Sequence, residues 1–350
     1  MNHYRIIGWA VFWTAAIAEC ASCTKPVPHE IRPAFYYWKA SLDLDSLERS
    51  YLRKDTSTLL YLRFFDVGWD QKTAQPVPVA PLRFRGSLPE RLAYVPVVFI
   101  TNETLEKSTS NQMAPLADHI LEKIRTMSAS LANRYGSVQL DCDWTVSTRD
   151  RYFRLLDTLR ARLRTAGRGL SVTLRLHQIK YARETGVPPA DRGMLMMYNM
   201  GDWKSPATEN SLYDPDLAAR YLSGLQNYPL PLDVAFPVLR WTIVYRNGRF
   251  LTFLNGIAAD SLRRQSFLSQ LRDPNRFSVQ TDTFALGCSL RQGDLLRSET
   301  CGFAALMKGR KMVLQKIPHD KLTLALFHLD DALLKHYSHA QIQEIFSAVQ

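Results

Sequence analysis

Two carboxylates stand two residues apart in an apolar stretch near the middle of the chain. Residues 138–145 read VQLDCDWT, so Asp141 and Asp143 alternate with apolar residues. Side chains two apart in a β-strand project from the same face, which places the two carboxylates side by side. Two like charges raise each other's pKa and lose hydration unless a cation, a hydrogen-bonding shell or a ligand compensates them. Asp141 and Asp143 are therefore the leading candidates for a functional site.

A second polar face occurs in the next apolar segment, residues 170–177. Thr173, Arg175 and His177 alternate there with apolar residues. We expect Arg175 to pair with Asp141, and we interpret this ion pair as structural rather than catalytic, because an interior charge needs a partner first. His177 ends the segment, where it serves either as a general base or ligand contact, or as a hydrogen-bonding cap of the strand end.

Strand-like and helix-like segments alternate along the chain. Helical periodicity is clearest over residues 114–135, 148–165, 215–226 and 256–271. Eight strands alternating with helices predict an α/β fold, a single (β/α)8 TIM-type barrel over residues 30–350. An open doubly wound sheet is the alternative, disfavoured because no glycine-rich phosphate loop follows an early strand. The predicted strands are 34–42, 59–65, 94–101, 138–143, 170–177, 194–199, 233–238 and 322–329.

A β-hairpin is predicted directly after the seventh strand. Asn247 and Gly248 lie between two runs rich in β-branched and aromatic residues, which is typical of a two-residue turn. The hairpin insertion should project from the carboxyl-end rim of the barrel, where active-site loops lie. Its aromatic residues Trp241, Tyr245 and Phe250 form a wall for a ligand or simply pack the hairpin onto the rim.

The first residues are typical of an exported protein. An apolar stretch over residues 6–18 follows Arg5 and is too short to span a bilayer comfortably. Residues 20–26, CASCTKP, are similar to a bacterial lipoprotein cleavage box, so we expect residues 1–23 to be an export signal and Cys23 to carry the lipid. A plain signal peptide cleaved nearby is the alternative. Either form predicts the bacterial cell envelope, and lipidation predicts a membrane anchor in the periplasm or at the outer membrane.

The composition of the chain bears on whether it binds nucleic acid, forms a disulfide or holds a metal or cofactor. The net charge is +11, largely from arginines scattered over predicted helices, and the absence of interleaved aromatic residues disfavours a nucleic-acid partner. Cys288 and Cys301 are close enough in sequence for an exported protein to bond them. The spacings suggest no metal, and nothing suggests a cofactor. Asp294 and Glu299 are expected only to cap and solvate a short helix.

Two of the predicted strands carry a family resemblance. The fourth, LDCDWT, resembles the Asp-Gly-Ile-Asp-Ile-Asp-Trp-Glu signature of the chitinase-like family 18 glycoside hydrolases, and residues 196–199, MMYN, resemble that family's Met-x-Tyr-Asp. The resemblance implies a glycan substrate, with Asp143 orienting its acetamido group and Tyr198 helping to hold it. In the family, the acetamido oxygen attacks the anomeric carbon while a Glu protonates the leaving oxygen.

The sequence departs from the family at its proton donor. Thr145 stands where the family has that Glu, and a threonine cannot supply the proton. Either the acid comes from another loop, or catalysis is lost and a sugar groove remains, or the barrel belongs to a different group of exported barrels. The candidates for a displaced acid are Asp66, Asp70, Glu103, Asp202 and Asp330.

Tryptophans follow several predicted strands, and indole faces stack well on sugar rings. We therefore expect a glycan to be bound or cleaved at the carboxyl-end rim. The alternative is a non-catalytic envelope lipoprotein that captures or scaffolds carbohydrate. The catalytic candidates are Asp143, Asp141 and His177, and the substrate-binding candidates are Tyr198, Asn199, Trp144, Trp203, Trp241, Arg175 and Asp330, with Trp69 as a further rim tryptophan.

Overall fold

Eight parallel strands close into a barrel at the centre of the molecule. The computed structural model describes residues 29–54 and 59–347, so the expected export signal and Cys23 lie outside the described residues. The barrel strands are β1 (Glu30–Tyr37), β2 (Leu59–Asp70), β3 (Ala93–Ile100), β4 (Ser137–Asp141), β5 (Gly169–Arg175), β6 (Arg192–Met196), β7 (Leu232–Pro237) and β8 (Lys321–Phe327). Each strand pairs in parallel with the next, and β8 pairs with β1, which confirms the predicted (β/α)8 barrel.

The longer helices pack around the barrel through apolar faces. In the helix predicted over residues 148–165, Tyr152, Leu155 and Leu159 lie on one buried face, as their spacing of three and four requires. The helices are α1 (Ser46–Lys54), α2 (Asn102–Lys107), α3 (Met113–Ala129), α4 (Arg149–Thr165), α5 (Leu176–Lys180), α6 (Ala182–Thr185), α7 (Pro215–Ala219), α8 (Ala259–Arg263), α9 (Phe303–Leu314), α10 (Asp331–Leu334) and α11 (His339–Phe346), with 3-10 turns at Ser110–Gln112 and Leu222–Asn227. None of these helices is long and apolar enough to cross a bilayer.

An antiparallel sheet is inserted between β7 and β8. The predicted hairpin is present, with Asn247 and Gly248 both at positive φ in the turn. It is only part of a five-stranded sheet with its own small apolar core. In sheet order the strands are Arg249–Asn255, Arg240–Arg246, Leu295–Thr300, Arg276–Val279 and Leu268–Gln270. Minor strands occur at Ser41–Leu42, Gln75–Val79, Arg83–Phe84, Thr283–Ala285 and Cys288–Leu290. We call residues 240–300 the insertion.

One prediction in this region is wrong, and one possibility that the sequence left open is not realised. The helix expected over 256–271 is reduced to α8, because Gly256 adopts a left-handed conformation and the later residues join the inserted sheet. The apolar spacing there instead fills the core of the insertion. Cys288 and Cys301 are both free, so the possible disulfide is not formed.

The strand ends near the expected site are earlier than predicted. β4 ends at Asp141 and β5 at Arg175, so Asp143 lies beyond its strand and His177 lies within α5. The carboxyl ends of parallel barrel strands all open onto one rim. The residues just beyond β4, β5 and β6 therefore meet above the barrel interior.

Candidate functional site

Asp141 lies at the upper end of the barrel interior and is nearly buried, with 8% of its surface exposed. The hydroxyl of Thr173 on β5 donates a hydrogen bond to its Oδ1 at 2.7 Å. Burial raises the pKa of Asp141 above its ordinary value, although the charge of Arg175 and the hydrogen bond from Thr173 oppose this shift. Below it, Tyr36 donates to Gln139 at 2.5 Å. The barrel interior is therefore polar, as the alternation in β4 and β5 predicted.

Arg175 pairs with Asp143 and not with Asp141, which corrects the predicted ion pair. Its Nε and Nη2 lie 2.6 and 3.2 Å from the two carboxylate oxygens of Asp143. The reason is the early end of β4, which carries Asp143 above the strand to the level of the guanidinium, while Thr173 bonds Asp141 below. The remaining nitrogen, Nη1, is buried and has no hydrogen-bond partner in the described ranges.

A first cavity of about 360 Å³ opens beside this ion pair. His177 stands at its mouth, and burial of part of the ring lowers the pKa of His177, although the charge of Asp143 opposes this shift. Tyr198 lies under Arg175, with the guanidinium carbon 5.5 Å from the ring centroid. Six of the predicted site residues line this cavity: Asp143, Arg175, His177, Tyr198, Asn199 and Trp203.

A second cavity of about 490 Å³ lies farther along the rim, at the carboxyl end of β8. Two more of the predicted substrate-binding residues, Trp241 and Asp330, line this second cavity. The Asp330 carboxylate accepts a hydrogen bond from the Ala332 amide at the start of α10 and pairs with Lys39 at 3.2 Å. The cavity is also lined by Trp38, Arg240, Asn255, Phe327 and His328.

Two chains of aromatic rings connect the cavities. On one side, Phe327 lies 5.1 Å from Tyr198 of the first cavity and 5.5 Å from Trp38 of the second, between ring centroids. On the other side, Phe253 of the insertion lies 5.4 Å from Trp203 and 5.1 Å from Trp241. We call the two cavities and these aromatic chains the rim groove. Flat apolar faces beside polar groups are suited to binding sugar rings.

Trp144 does not belong to the groove, contrary to prediction. Its side chain is 1% exposed, stacks on Tyr152 of α4 and donates its indole proton to the Thr185 carbonyl at 3.1 Å. Because Asp143 turns toward the rim, its neighbour turns toward the helix layer. Trp69 is on the rim but lines neither cavity.

The proposed replacement acids are dispersed. A bulge in β2 between Arg63 and Phe65 allows Arg63 and Asp66 to form an ion pair, with Nε and Oδ1 2.9 Å apart. In the strand register, Asp66 of β2 is paired with Phe99 of β3, and Phe99 is paired with Asp141 of β4. Asp66 and Asp141 therefore lie at the same height in the barrel, two strands apart. Asp70, Glu103 and Asp202 line neither cavity. The Thr145 hydroxyl is exposed and shares a 2.8 Å hydrogen bond with Ser147.

Glu299 was expected to solvate a short helix, and this prediction is wrong. It lies in a strand of the insertion and is fully buried in an ion pair with Arg297, with Nε and Oε1 2.7 Å apart. The same carboxylate accepts bonds from the Leu212 amide at 3.0 Å and the Trp241 indole at 2.8 Å. Asp294 is likewise buried and paired with Arg246. Arg297 and Glu299 lie two residues apart, so in a strand their side chains share one face. This spacing is the sequence signal that could have indicated the strand.

A further cavity of about 590 Å³, larger than either cavity of the rim groove, lies at the opposite, amino end of the barrel. Its charged groups include two ion pairs, Arg192 with Asp233 and Lys321 with Glu30. Barrel enzymes carry their sites at the carboxyl-end rim, and the features that predicted a site all lie there. Size alone therefore does not identify the site in this molecule.

Solved structures share the fold of this chain. The spore cortex-lytic enzyme SleL of Bacillus megaterium QM B1551 superposes with a TM-score of 0.58 at 12% identity, over 92% of this chain and 75% of that one. The GH18 chitinase ChiB of Flavobacterium johnsoniae gives 0.51 at 13%, over 91% and 94%. A chitinase-like agglutinin of Robinia pseudoacacia gives 0.51 at 11%, over 90% and 99%. The barrel therefore resembles those of the chitinase-like family 18 proteins in architecture.

Sequence comparison adds no closer relationship. No protein-family model matches the chain, and no curated protein matches it significantly.

Proposed function

We propose that this protein binds a glycan in the rim groove and does not hydrolyse it. The observation that carries the proposal is the pair of cavities joined by aromatic rings, with polar side chains at each end. The fold is compatible with this role, since the proteins with similar barrels include ones named as chitinases, a cortex-lytic enzyme and an agglutinin.

Binding is favoured over hydrolysis by the state of the carboxylates. Both oxygens of Asp143 contact Arg175, so the group that faces the first cavity is an ion-paired carboxylate and not a free carboxyl group. Thr145, at the position that the family resemblance assigns to the acid, supplies no carboxyl group. Hydrolysis of a glycosidic bond by two carboxyl groups requires one of them to donate a proton to the leaving oxygen.

The test is a glycan-binding panel with the full chain in detergent. A Trp203→Ala, Trp241→Ala double variant should lose binding, because both indoles belong to the groove. Trp69→Ala is the matched control, since Trp69 lies on the rim outside both cavities. Absence of binding by the parent protein to every glycan tested would overturn the proposal.

Hydrolysis is retained as a second candidate on one observation. Asp141 lies at the upper end of the barrel interior next to the Arg175–Asp143 pair, and burial raises its pKa, which is the direction that general acid catalysis requires. Asp141 would then be the proton donor, with Asp143 and its partner Arg175 beside it. Release of reducing ends by the parent, abolished in Asp141→Asn with binding retained, would establish hydrolysis in place of simple capture.

We also propose that the protein is exported to the bacterial cell envelope and anchored through an acylated Cys23, in the periplasm or at the outer membrane. The support is the apolar segment followed by the CASCTKP sequence at residues 20–26. Labelled fatty acid should be incorporated into the parent and not into Cys23→Ala. Equal labelling of the two proteins would refute the anchor.

A further inference from the structure

The described chain enters the barrel at its amino end, where buried contacts hold it in place. His29 is 5% exposed and directly precedes β1, and its two ring nitrogens lie 2.8 Å from the carbonyl oxygens of Leu314 and His319. The Glu30 amide donates to the Asp320 carbonyl at 2.6 Å. Leu314 ends α9, and the other two carbonyls precede β8. The entry point is therefore fixed at the end of the barrel opposite the rim groove.

A lipid on Cys23 would keep this entry point close to the bilayer. His29 is six residues after Cys23. A chain of that length spans at most about 22 Å when it is fully extended. The rim lies a strand length farther away, because the eight residues of β1 rise about 26 Å. The tether is therefore too short to pass the barrel wall and bring the rim groove onto the same bilayer.

The segments that lead into the barrel strands form the surface at this end, and we call it the amino-end face. Its carboxylates at Glu30, Asp191 and Asp233 are already in ion pairs. The amino-end face comprises residues 29–32, 89–92, 130–136, 166–168, 186–192, 228–233 and 315–321.

Positive charge without a counter-ion predominates on the amino-end face. Its other two carboxylates, Glu90 and Asp320, make no ion pair within residues 29–54 and 59–347. Over the same ranges, five basic side chains of this face make none either. They are Arg32, Arg91, Arg134, Arg168 and Lys316. Basic groups are attracted to a surface of anionic lipids.

We propose that the amino-end face lies against an anionic lipid surface and that the rim groove opens away from the membrane. The inference rests on the proposed acylation of Cys23 and adds an orientation to it. It also narrows the ligand. A sugar headgroup in the same leaflet would be on the opposite side of the barrel from the groove, so the groove receives a glycan polymer that stands off the bilayer.

The experiment measures the height of single labels above the bilayer. The acylated full chain is inserted into preformed vesicles of phosphatidylcholine and phosphatidylglycerol that contain a lipid with a nitroxide on its headgroup. A fluorophore is attached to a cysteine introduced at the amino end (Ser130→Cys), on the exposed side of α4 (Asp157→Cys) or at the rim (Val146→Cys). All three are made in a Cys288→Ser background, because the other free cysteines of the described residues, 142 and 301, are buried.

The label at residue 130 should be quenched about twofold or more strongly than the label at residue 146, since the two differ in height by about a strand length. The label at residue 157 should be intermediate. Strongest quenching at residue 146 would overturn the orientation. Strongest quenching at residue 157 would also overturn it, because the barrel would then lie on its side.

A charge variant tests the role of the lipid surface. Arg91→Gln with Lys316→Gln should about halve the excess quenching of the label at residue 130 in these vesicles, because it weakens attraction to anionic lipid. The matched control is Lys72→Gln with Lys335→Gln, which removes as much charge from exposed residues outside the amino-end face and should leave the excess unchanged. Equal effects of the two double variants would overturn the assignment to the amino-end face.

Flotation of the vesicles separates this inference from the proposal on which it rests. The parent should float with the vesicles, and Cys23→Ala should not. If neither protein floats, or both float equally, the anchor itself is refuted. If only the parent floats and the label at residue 130 is not the most strongly quenched, the anchor stands and the orientation is wrong.

Discussion

Two arginine–carboxylate pairs in this molecule have the same chemistry and different surroundings. Arg175 and Asp143 pair at the rim, and the Asp143 side chain is 54% exposed. Arg297 and Glu299 pair inside the insertion with both side chains fully buried. Each pair has a contact of 2.6 to 2.7 Å, so distance does not distinguish them.

The remaining hydrogen-bonding capacity does distinguish the pairs. Glu299 has protein donors around both oxygens, including the Ser211 hydroxyl, the Leu212 amide and the Trp241 indole. It therefore holds the segment at residues 211–212 and the indole of Trp241 in place. At the rim pair, Asp143 faces a cavity and Nη1 of Arg175 has no protein partner in the described ranges. The buried pair is therefore structural, and the rim pair is available to a ligand.

The largest effect is expected on breaking the buried pair. Glu299→Ala leaves the Arg297 guanidinium buried without its counter-ion and removes the acceptor of the Trp241 indole, which should cost about 3–5 kcal/mol of unfolding free energy. Chemical denaturation measures this directly. Glu103→Ala, which breaks an exposed pair with Lys107, is the control and should leave the midpoint unchanged. If Glu299→Ala shifted the denaturation midpoint as little as Glu103→Ala does, the buried pair would contribute no more to stability than an exposed pair.

A smaller stability effect and a larger binding effect are expected at the rim pair. Arg175→Gln frees Asp143, whose exposed carboxylate is hydrated by water, so the loss of stability should be well below that of Glu299→Ala. Glycan affinity should fall about tenfold, since the guanidinium lines the first cavity. Parallel denaturation and calorimetry on the same preparation test this. A loss of stability as large as that of Glu299→Ala, without loss of binding, would make the rim pair structural as well.

The difference between the pairs explains what the sequence could and could not predict. Alternation in β4 and β5 sufficed to place Asp141 and Thr173 on the barrel interior, where they are hydrogen-bonded. The partner of Arg175 could not be predicted, because it depends on where β4 ends, and strand ends depend on tertiary packing. The spacing of Arg297 and Glu299 was consistent with a strand, but the burial of Glu299 depends on pairing with Arg240–Arg246, a contact remote in sequence.

The rim groove also depends on contacts between residues remote in sequence, which the sequence alone could not predict. Trp203 and Trp241 were predicted from their positions after strands, and this rule placed Trp144 on the rim as well, where it is not found. The aromatic chains connecting the cavities run through Phe253 and Phe327, which touch residues far away in sequence. Only the fold brings them together.

A more conservative change separates the structural and ligand-facing roles of Trp241. Trp241→Phe keeps an aromatic face in the second cavity but leaves one acceptor bond of the buried Glu299 unfilled. We expect a loss of about 1 kcal/mol in unfolding free energy and an affinity change of less than about threefold. Denaturation and glycan titration measure the two. A greater loss of affinity than of stability would mean that the ligand needs the larger indole face and not just any aromatic ring at this position.

The smallest effect should come from pH, through histidines at the two ends of the groove. Burial lowers the pKa of His328 and of His177 below the ordinary value, with Asp330 and Asp143 respectively opposing the shift. Since the unfolded chain binds protons more readily, the neutral rings contribute stability that is complete above about pH 6.5 and is lost as pH falls through the folded pKa values. His328 is the more enclosed ring, so His328→Gln should flatten the decline in melting temperature below pH 6.5 more than His177→Gln does. Thermal unfolding between pH 5 and 8 measures the slopes. An equal flattening by both variants would show that the enclosed and exposed ends of the groove do not differ in this respect.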